Sequence, residues 1–375
     1  MEHRKFGRMG HDVSALGFGT MRLPLAADGK AVDEPAAIEM IRWAIDHGVD
    51  YIDSAWPYHG GQSEVVTGKA LQDGYREKVR VATKLPIWDV KTLDDCDRIL
   101  NEQLRRLDVE HIDYYLLHCL SENGWPPMRD LGVMKWAESA RADGRIGQVG
   151  FSFHDRFDVF REIVDAYDWP MCQIQYNYVC EDVQAGTEGL KYAAERGLAV
   201  VIMEPLFGGT LATPPESIRA LWDQAGADCV DTALQWLWNR PEVACVLSGM
   251  STLEQVRQNV ASAARSAVGS MDAASLDLIA RVSDAYRELS PIPCTKCGYC
   301  MPCPNGVDIP RNFELLNNAT TLKGNSAVLC RNLYQLLPEA ARASACVECG
   351  QCQEKCPQAI DIPATLARVH EAFSD

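Results

Sequence analysis

From residue 12 to about 265 the chain alternates two hydrophobic rhythms. Short β-branched and apolar runs recur at Val13–Gly19, Val49–Ser54, Val79–Lys84, Ile112–His118, Ile146–Phe153, Met171–Tyr176, Ala199–Met203 and Val243–Ser248. Between them, segments such as Pro35–His47, Leu93–Leu107, Leu131–Ala142, Val183–Arg196 and Cys229–Asn239 space apolar residues three and four apart. The first rhythm predicts buried strands and the second amphipathic helices. Such regular alternation implies an α/β fold with a parallel sheet, and eight repeats suit a closed (β/α)8 TIM barrel. The opening residues, with Gly7 and Gly10, read as a hairpin closing the barrel floor.

The rhythm changes after a last helical stretch, Asp272–Leu289, and Ser290-Pro291-Ile292-Pro293 reads as a linker. Beyond it, Cys303-Pro-Asn-Gly-Val-Asp-Ile-Pro310 is echoed by Cys356-Pro-Gln-Ala-Ile-Asp-Ile-Pro363. Each copy follows a run of cysteines and precedes a helical stretch, so two half-units build a small second domain. The expected division is 1–289 for the barrel and 290–375 for this cysteine domain.

Composition narrows the partners. A net charge of −16 argues against nucleic acid or an anionic membrane surface. Met1–Phe6 leads into no long apolar run, and the stretch Leu198–Phe207 is broken by Glu204 and Pro205, far short of a bilayer span. A cytoplasmic location is therefore expected. The chain has 15 cysteines. Seven are scattered (Cys96, Cys119, Cys172, Cys180, Cys229, Cys245, Cys330) and read as reduced core thiols.

The other eight are clustered. Cys294-x2-Cys297-x2-Cys300-x2-Cys303-Pro and Cys346-x2-Cys349-x2-Cys352-x3-Cys356-Pro follow the bacterial ferredoxin ligand pattern, the first with a final gap one residue shorter. Zinc sites usually pair two Cys-x2-Cys units or recruit histidine; four cysteines per run with a terminal proline favour iron–sulfur. In two-cluster ferredoxins the fourth cysteine ligates the other cluster. The pattern assigns Cys294, Cys297, Cys300 and Cys356 to one 4Fe-4S cluster, and Cys346, Cys349, Cys352 and Cys303 to a second. The 42 residues between the runs, with helical stretches such as Val328–Leu337, favour a mainly α-helical ferredoxin-like domain.

Loops after the strands of such a barrel gather at one rim and carry its chemistry. Asp53 ends the second strand, Tyr58 follows it, Lys84 ends the third and His118 the fourth. A tyrosine hydroxyl ordinarily titrates near 10, too high for a good proton donor; a neighbouring ammonium stabilises the phenolate, and a carboxylate keeps that ammonium charged. Asp53, Lys84 and Tyr58 supply those roles, and neutral His118 can orient a carbonyl oxygen. Trp56, Trp88, Trp125 and Phe153 are candidate pocket walls.

Residues 4 to 265 resemble the aldo-keto reductases, on Leu16-Gly-Phe-Gly-Thr20, Asp53-Ser-Ala-Trp-Pro-Tyr58 with Gln62-Ser-Glu64, Ala82-Thr-Lys84, Asp113-Tyr-Tyr-Leu-Leu-His118, Gly150-Phe-Ser152 and Gln173-Ile-Gln-Tyr-Asn177. Some relatives carry a C-terminal extension with the same short final gap. The resemblance implies reduction of a small-molecule carbonyl, or oxidation of an alcohol, with NADPH or NADH as hydride carrier and Tyr58 as proton donor. It places the coenzyme against Gly19, Thr20, Asp53, Ser152, Gln173, Met203, Leu206, Gly208, Gly249, Ser251, Gln255 and Asn259. Two departures stand out. Phe153 replaces the asparagine that usually follows the serine. The positions of a lysine and an arginine that grip the 2′-phosphate of NADPH fall on uncharged Gly249 and Gln255, with Arg257 as a substitute cation. The clusters are left with three readings: structural, an electron conduit to a redox protein partner, or an oxygen sensor. An electron-transfer or redox-sensing protein whose barrel only binds nicotinamide is the alternative to an enzyme.

Overall fold

The computed structural model describes residues 1–289, 292–321 and 325–374. Ser290 and Pro291 of the expected linker lie outside the described residues. By contact density the chain divides into two compact units, residues 1–205 with 231–271, and residues 206–230 with 272–375.

The first unit is a closed barrel. Strands β1 (His3–Lys5) and β2 (Asp12–Ser14) pair antiparallel as a hairpin. The eight barrel strands are β3 (Leu16–Gly19), β4 (Tyr51–Asp53), β5 (Arg80–Pro86), β6 (Ile112–Leu120), β7 (Ile146–Phe153), β8 (Met171–Gln175), β9 (Ala199–Met203) and β10 (Val243–Gly249). Each pairs in parallel with its sequence neighbour, and β10 closes on β3. The run Val13–Gly19 is thus divided: Val13 pairs with Arg4 in the hairpin, and only Leu16–Gly19 enters the barrel. The expected helix Leu131–Ala142 begins at Val133, because Gly132 (φ 81°) ends a separate helix, Trp125–Leu131.

Alternation fills the barrel in layers. Phe6, Tyr51, Ala82, Tyr114, Leu116 and Met171 belong to one buried cluster, with Phe6 from the hairpin against the rings of Tyr51 and Tyr114. Side chains recur on one face every second residue. Two positions beyond Tyr51, Ala82, Leu116 and Met171 therefore stand Asp53, Lys84, His118 and Gln173, on the layer nearest the carboxyl ends of the strands.

The helix Leu93–Leu107 shows how the outer ring is anchored. Thr92 caps it reciprocally with Asp95, and Cys96, Ile99, Leu100, Gln103 and Leu107 form its buried stripe. Gln103 is the polar member of that stripe, and its amide serves the site described below.

The second unit is mainly helical: Glu216–Ala225, Ala273–Leu289, Ile309–Thr321, Asn325–Leu336 and Ile362–Phe373. The internal repeat has a local cause. Asp308 and Asp361 accept hydrogen bonds from the backbone N–H groups of Arg311 and Ala364, both 3.2 Å, capping the helices that begin at Ile309 and Ile362. A proline in each first turn removes an N–H that would find no partner. Val307, Phe313, Tyr334, Ile362, Val369 and Phe373 share the core of this unit. Gly208 (φ 64°) packs so closely that a Cβ there would lie 2.4 Å from the Thr295 carbonyl oxygen. No described helix is long and apolar enough to cross a membrane.

Candidate active site

Lys84 is buried, and its ammonium donates to Asp53 Oδ1 at 2.6 Å and to the Ser54 carbonyl at 2.8 Å. The register explains the meeting. Asp53 pairs with Ala82, and Lys84 stands two residues further along the same face of β5. The other carboxylate oxygen of Asp53 accepts from Gln173 Nε2 at 2.6 Å. A carboxylate only accepts, so Gln173 must turn its nitrogen to Asp53. Its Oε1 is buried with no hydrogen-bond partner among the described residues.

Tyr58 opens a short 3₁₀ turn after β4, with its ring 5.1 Å from Lys84 Nζ and edge-on to His118 at 6.2 Å between centroids. Burial pushes the His118 imidazole well below its ordinary range, with Lys84 and His154 adding to the effect. His118 is therefore neutral near pH 7. His154, just beyond β7, is likewise lowered, to about 4, chiefly by burial; its ring bonds to Gln184. Non-glycine residues with positive φ gather at the same strand ends: His59 (50°) after β4, Cys119 (59°) beside His118, and Glu204 (54°) after β9. Such backbone persists where surrounding contacts hold it, and it concentrates at functional sites.

A buried carboxylate braces this layer from behind. Glu64 accepts from Thr83 Oγ1 (2.7 Å), Gln103 Nε2 (2.7 Å) and Arg106 Nη1 (3.1 Å). Gln103 Nε2 also reaches the Lys84 carbonyl at 3.0 Å, and the Arg106 guanidinium stacks 3.8 Å from the Trp56 ring. The network thus ties the strand end carrying Lys84 to the loop carrying Tyr58. Sequence reasoning missed Gln103, whose only signal was a polar residue within a buried helical stripe, and Arg106, which gave none.

Of the four aromatic wall candidates, Trp88 stands at the site, 47% exposed with its ring 5.1 Å from His118. Trp56 is held by Arg106. Trp125 and Phe153 are buried in packing instead, against Trp169 and Phe160.

Eight of the ten cysteines in the second unit, all but Cys229 and Cys330, fall into two groups of four. Cys294, Cys297, Cys300 and Cys356 line one cavity, with Phe313 and Ile360 among its apolar walls. Cys303, Cys346 and Cys349 are the thiols whose charge Cys352 feels. The last cysteine of each run is therefore placed with the first three of the other. Among the described residues no group of three His, Cys, Asp or Glu is disposed around a single metal ion. Four thiols lining one cavity, three from one run and the fourth from the other, fit the ligand set of a four-iron cluster. Cys346 Sγ also accepts the Glu348 N–H at 3.4 Å.

Residues 15–281 match the aldo/keto reductase family model. The chain belongs to the aldo/keto reductase family. Residues 293–360 of this aldo/keto reductase match the 4Fe-4S dicluster domain. It is similar to a probable aldo-keto reductase 1 of Glycine max, at 26% identity over 69% of this chain and 84% of the other. Its fold is similar to the holo form of an aldo-keto reductase from Bacillus halodurans, with TM-score 0.64 and 25% identity over 75% of this chain and 96% of that one. A Klebsiella pneumoniae aldo/keto reductase solved with NADP and acetate gives TM-score 0.62 at 24% identity, covering 75% and 95%.

Several of the reductase's expected coenzyme residues share the strand-end layer. Ser152 is buried; its Oγ accepts the Cys119 N–H at 2.8 Å, leaving its own proton to donate. Thr20 Oγ1 donates to the Asp53 carbonyl at 3.0 Å, and Gly19 pairs with Gly249 across β3 and β10. Met203 packs partly buried against the floor cluster. Gln255 turns its Oε1 back to the Ser251 N–H at 2.8 Å, while Asn259 donates to Ser248 Oγ at 3.0 Å. Arg257 lies over the Trp43 ring at 5.8 Å. Leu206 and Gly208 belong to the second unit.

Proposed function

We propose that this chain is a nicotinamide-dependent oxidoreductase that reduces an aldehyde or ketone, or oxidises the corresponding alcohol, with Tyr58 as proton donor. The observation that carries the reading is the buried Asp53–Lys84 pair with its ammonium 5.1 Å from the Tyr58 ring. A positive charge fixed there favours the phenolate that remains after the proton has left.

The residues fit the coenzyme. Gln173 keeps an unsatisfied buried oxygen and Ser152 an uncommitted hydroxyl proton, an acceptor and a donor of the kind a carboxamide pairs with. When bound, the reduced nicotinamide supplies hydride to the carbonyl carbon. Neutral His118 donates a hydrogen bond that orients the carbonyl oxygen, and Tyr58 passes its proton to that oxygen as negative charge develops on it. In the reverse direction Tyr58 takes the proton from the alcohol. Trp88 and His118 form one wall for the substrate. The bound NADP of the Klebsiella neighbour supports a nicotinamide coenzyme.

The two cysteine groups hold two 4Fe-4S clusters in the crossed pattern, Cys294, Cys297, Cys300 with Cys356, and Cys346, Cys349, Cys352 with Cys303. When bound, the clusters supply one-electron chemistry. The test is anaerobic purification, iron and sulfide analysis, then NADPH and NADH oxidation against a panel of aldehydes and ketones. Zinc in place of iron would overturn the cluster assignment, and iron-replete protein inactive on every carbonyl would overturn the reductase.

A further inference from the structure

The two positions expected to hold cations for a coenzyme phosphate are vacant of charge, and the nearest substitute points elsewhere. Gly249 has no side chain, Gln255 is spent on the Ser251 N–H, and Arg257 stacks toward Trp43. A different arginine lies beside this loop. Strands β3 and β10 run in parallel with Gly19 opposite Gly249, so the turn Thr20–Arg22 leaving β3 passes along residues 249–251. Ser251 Oγ donates to the Arg22 carbonyl at 2.8 Å and fastens the two segments together.

Glycine at 249 leaves room beside the arginine stem. A Cβ there would stand 3.3 Å from both Cβ and Cγ of Arg22 and 3.5 Å from its Cδ. A lysine at 249 and an extended arginine at 22 would compete for the same space. The Arg22 guanidinium makes no hydrogen bond or ion pair among the described residues, in a chain with 52 acidic side chains against 36 basic. Most of its other arginines are paired. A half-buried, uncommitted guanidinium whose stem runs beside Gly249 can serve as a bidentate partner for a phosphate.

We propose that Arg22 binds the ribose 2′-phosphate of NADPH, and that the charge usually carried after the last barrel strand has moved to the turn after the first, with Gly249 leaving room for its stem. The inference rests on the nicotinamide reading above and makes this chain selective for NADPH.

The test measures binding, not turnover, on the anaerobically prepared, cluster-loaded protein. Dissociation constants for NADPH, NADH and adenosine 2′,5′-bisphosphate are taken by calorimetry for wild type, Arg22→Gln and Arg22→Lys. Wild type should prefer NADPH. Arg22→Gln should weaken NADPH and the bisphosphate by about tenfold or more and NADH by less than about twofold, with Arg22→Lys partly restoring the loss. Gly249→Ala should weaken NADPH in the same sense by displacing the arginine stem. NADPH binding unchanged in Arg22→Gln, or NADPH and NADH weakened equally, would overturn the assignment while leaving the reductase intact. Wild type that binds neither coenzyme would overturn the nicotinamide reading itself.

Discussion

Lys84 Nζ lies 2.6 Å from Asp53 Oδ1, with the two side chains 1% and 4% exposed. Removing one member of such a pair leaves the other charge buried and uncompensated. Asp53→Asn is expected to destabilise the barrel by about 3–5 kcal/mol and to depress carbonyl reduction together with it. Paired denaturant unfolding and steady-state rates check this. A variant as stable as wild type would show that the pair is more solvated than its geometry indicates.

Acid should weaken the fold through the site histidines. Both His118 and His154 are held below their ordinary range in the folded chain, His154 to about 4. Between about 6.5 and 4 the unfolded His154 binds a proton that the folded one does not, so stability falls as pH drops through that window. His154→Gln should flatten part of this decline. Thermal unfolding measured from pH 8 to pH 4 decides it; an unchanged acid slope would contradict the assignment.

Crossed ligation makes a pairwise prediction about iron content. Cys294→Ser with Cys356→Ser strikes one cluster twice, and the double variant should keep about half of the iron. Cys294→Ser with Cys303→Ser strikes both clusters and should lose most of it. Iron analysis and low-temperature electron paramagnetic resonance read the result. The reverse pattern would mean that each run closes on its own cluster.

Gly208 and Gly209 separate two effects of a side chain. Both have positive φ (64° and 95°), but only Gly208 meets a neighbour, the Thr295 carbonyl at 2.4 Å from a built Cβ. Alanine at 209 should cost the backbone strain alone, about 1 kcal/mol, and alanine at 208 clearly more, with loosened iron in the second unit. Calorimetric unfolding of the two variants side by side tests the difference.

Much of the architecture was legible because strand and helix periods differ. Ile146–Phe153, Ala199–Met203 and Leu93–Leu107 fall where their patterns put them. Val13–Gly19 did not, because an apolar run carries no mark of where pairing changes partner. The tetrad was legible because Asp53 ends its strand and Lys84 and His118 stand two residues before the ends of theirs. The brace behind it was not: Glu64 comes from one helix and Gln103 with Arg106 from another, and only their meeting reveals them. Trp125 and Phe153 misled as pocket walls, since an aromatic residue near a strand end gives no signal of depth. Arg22 escaped notice because its partner is a glycine, whose contribution is the space that it leaves.

The reductase reading turns on one hydroxyl. The direct measurement is single-turnover NADPH oxidation with an accepted carbonyl, by wild type and Tyr58→Phe, with NADPH affinity taken in parallel. The account predicts a rate loss of about 10²–10⁴-fold in the variant with coenzyme affinity unchanged. Tyr58→Phe turning over at the wild-type rate would contradict it.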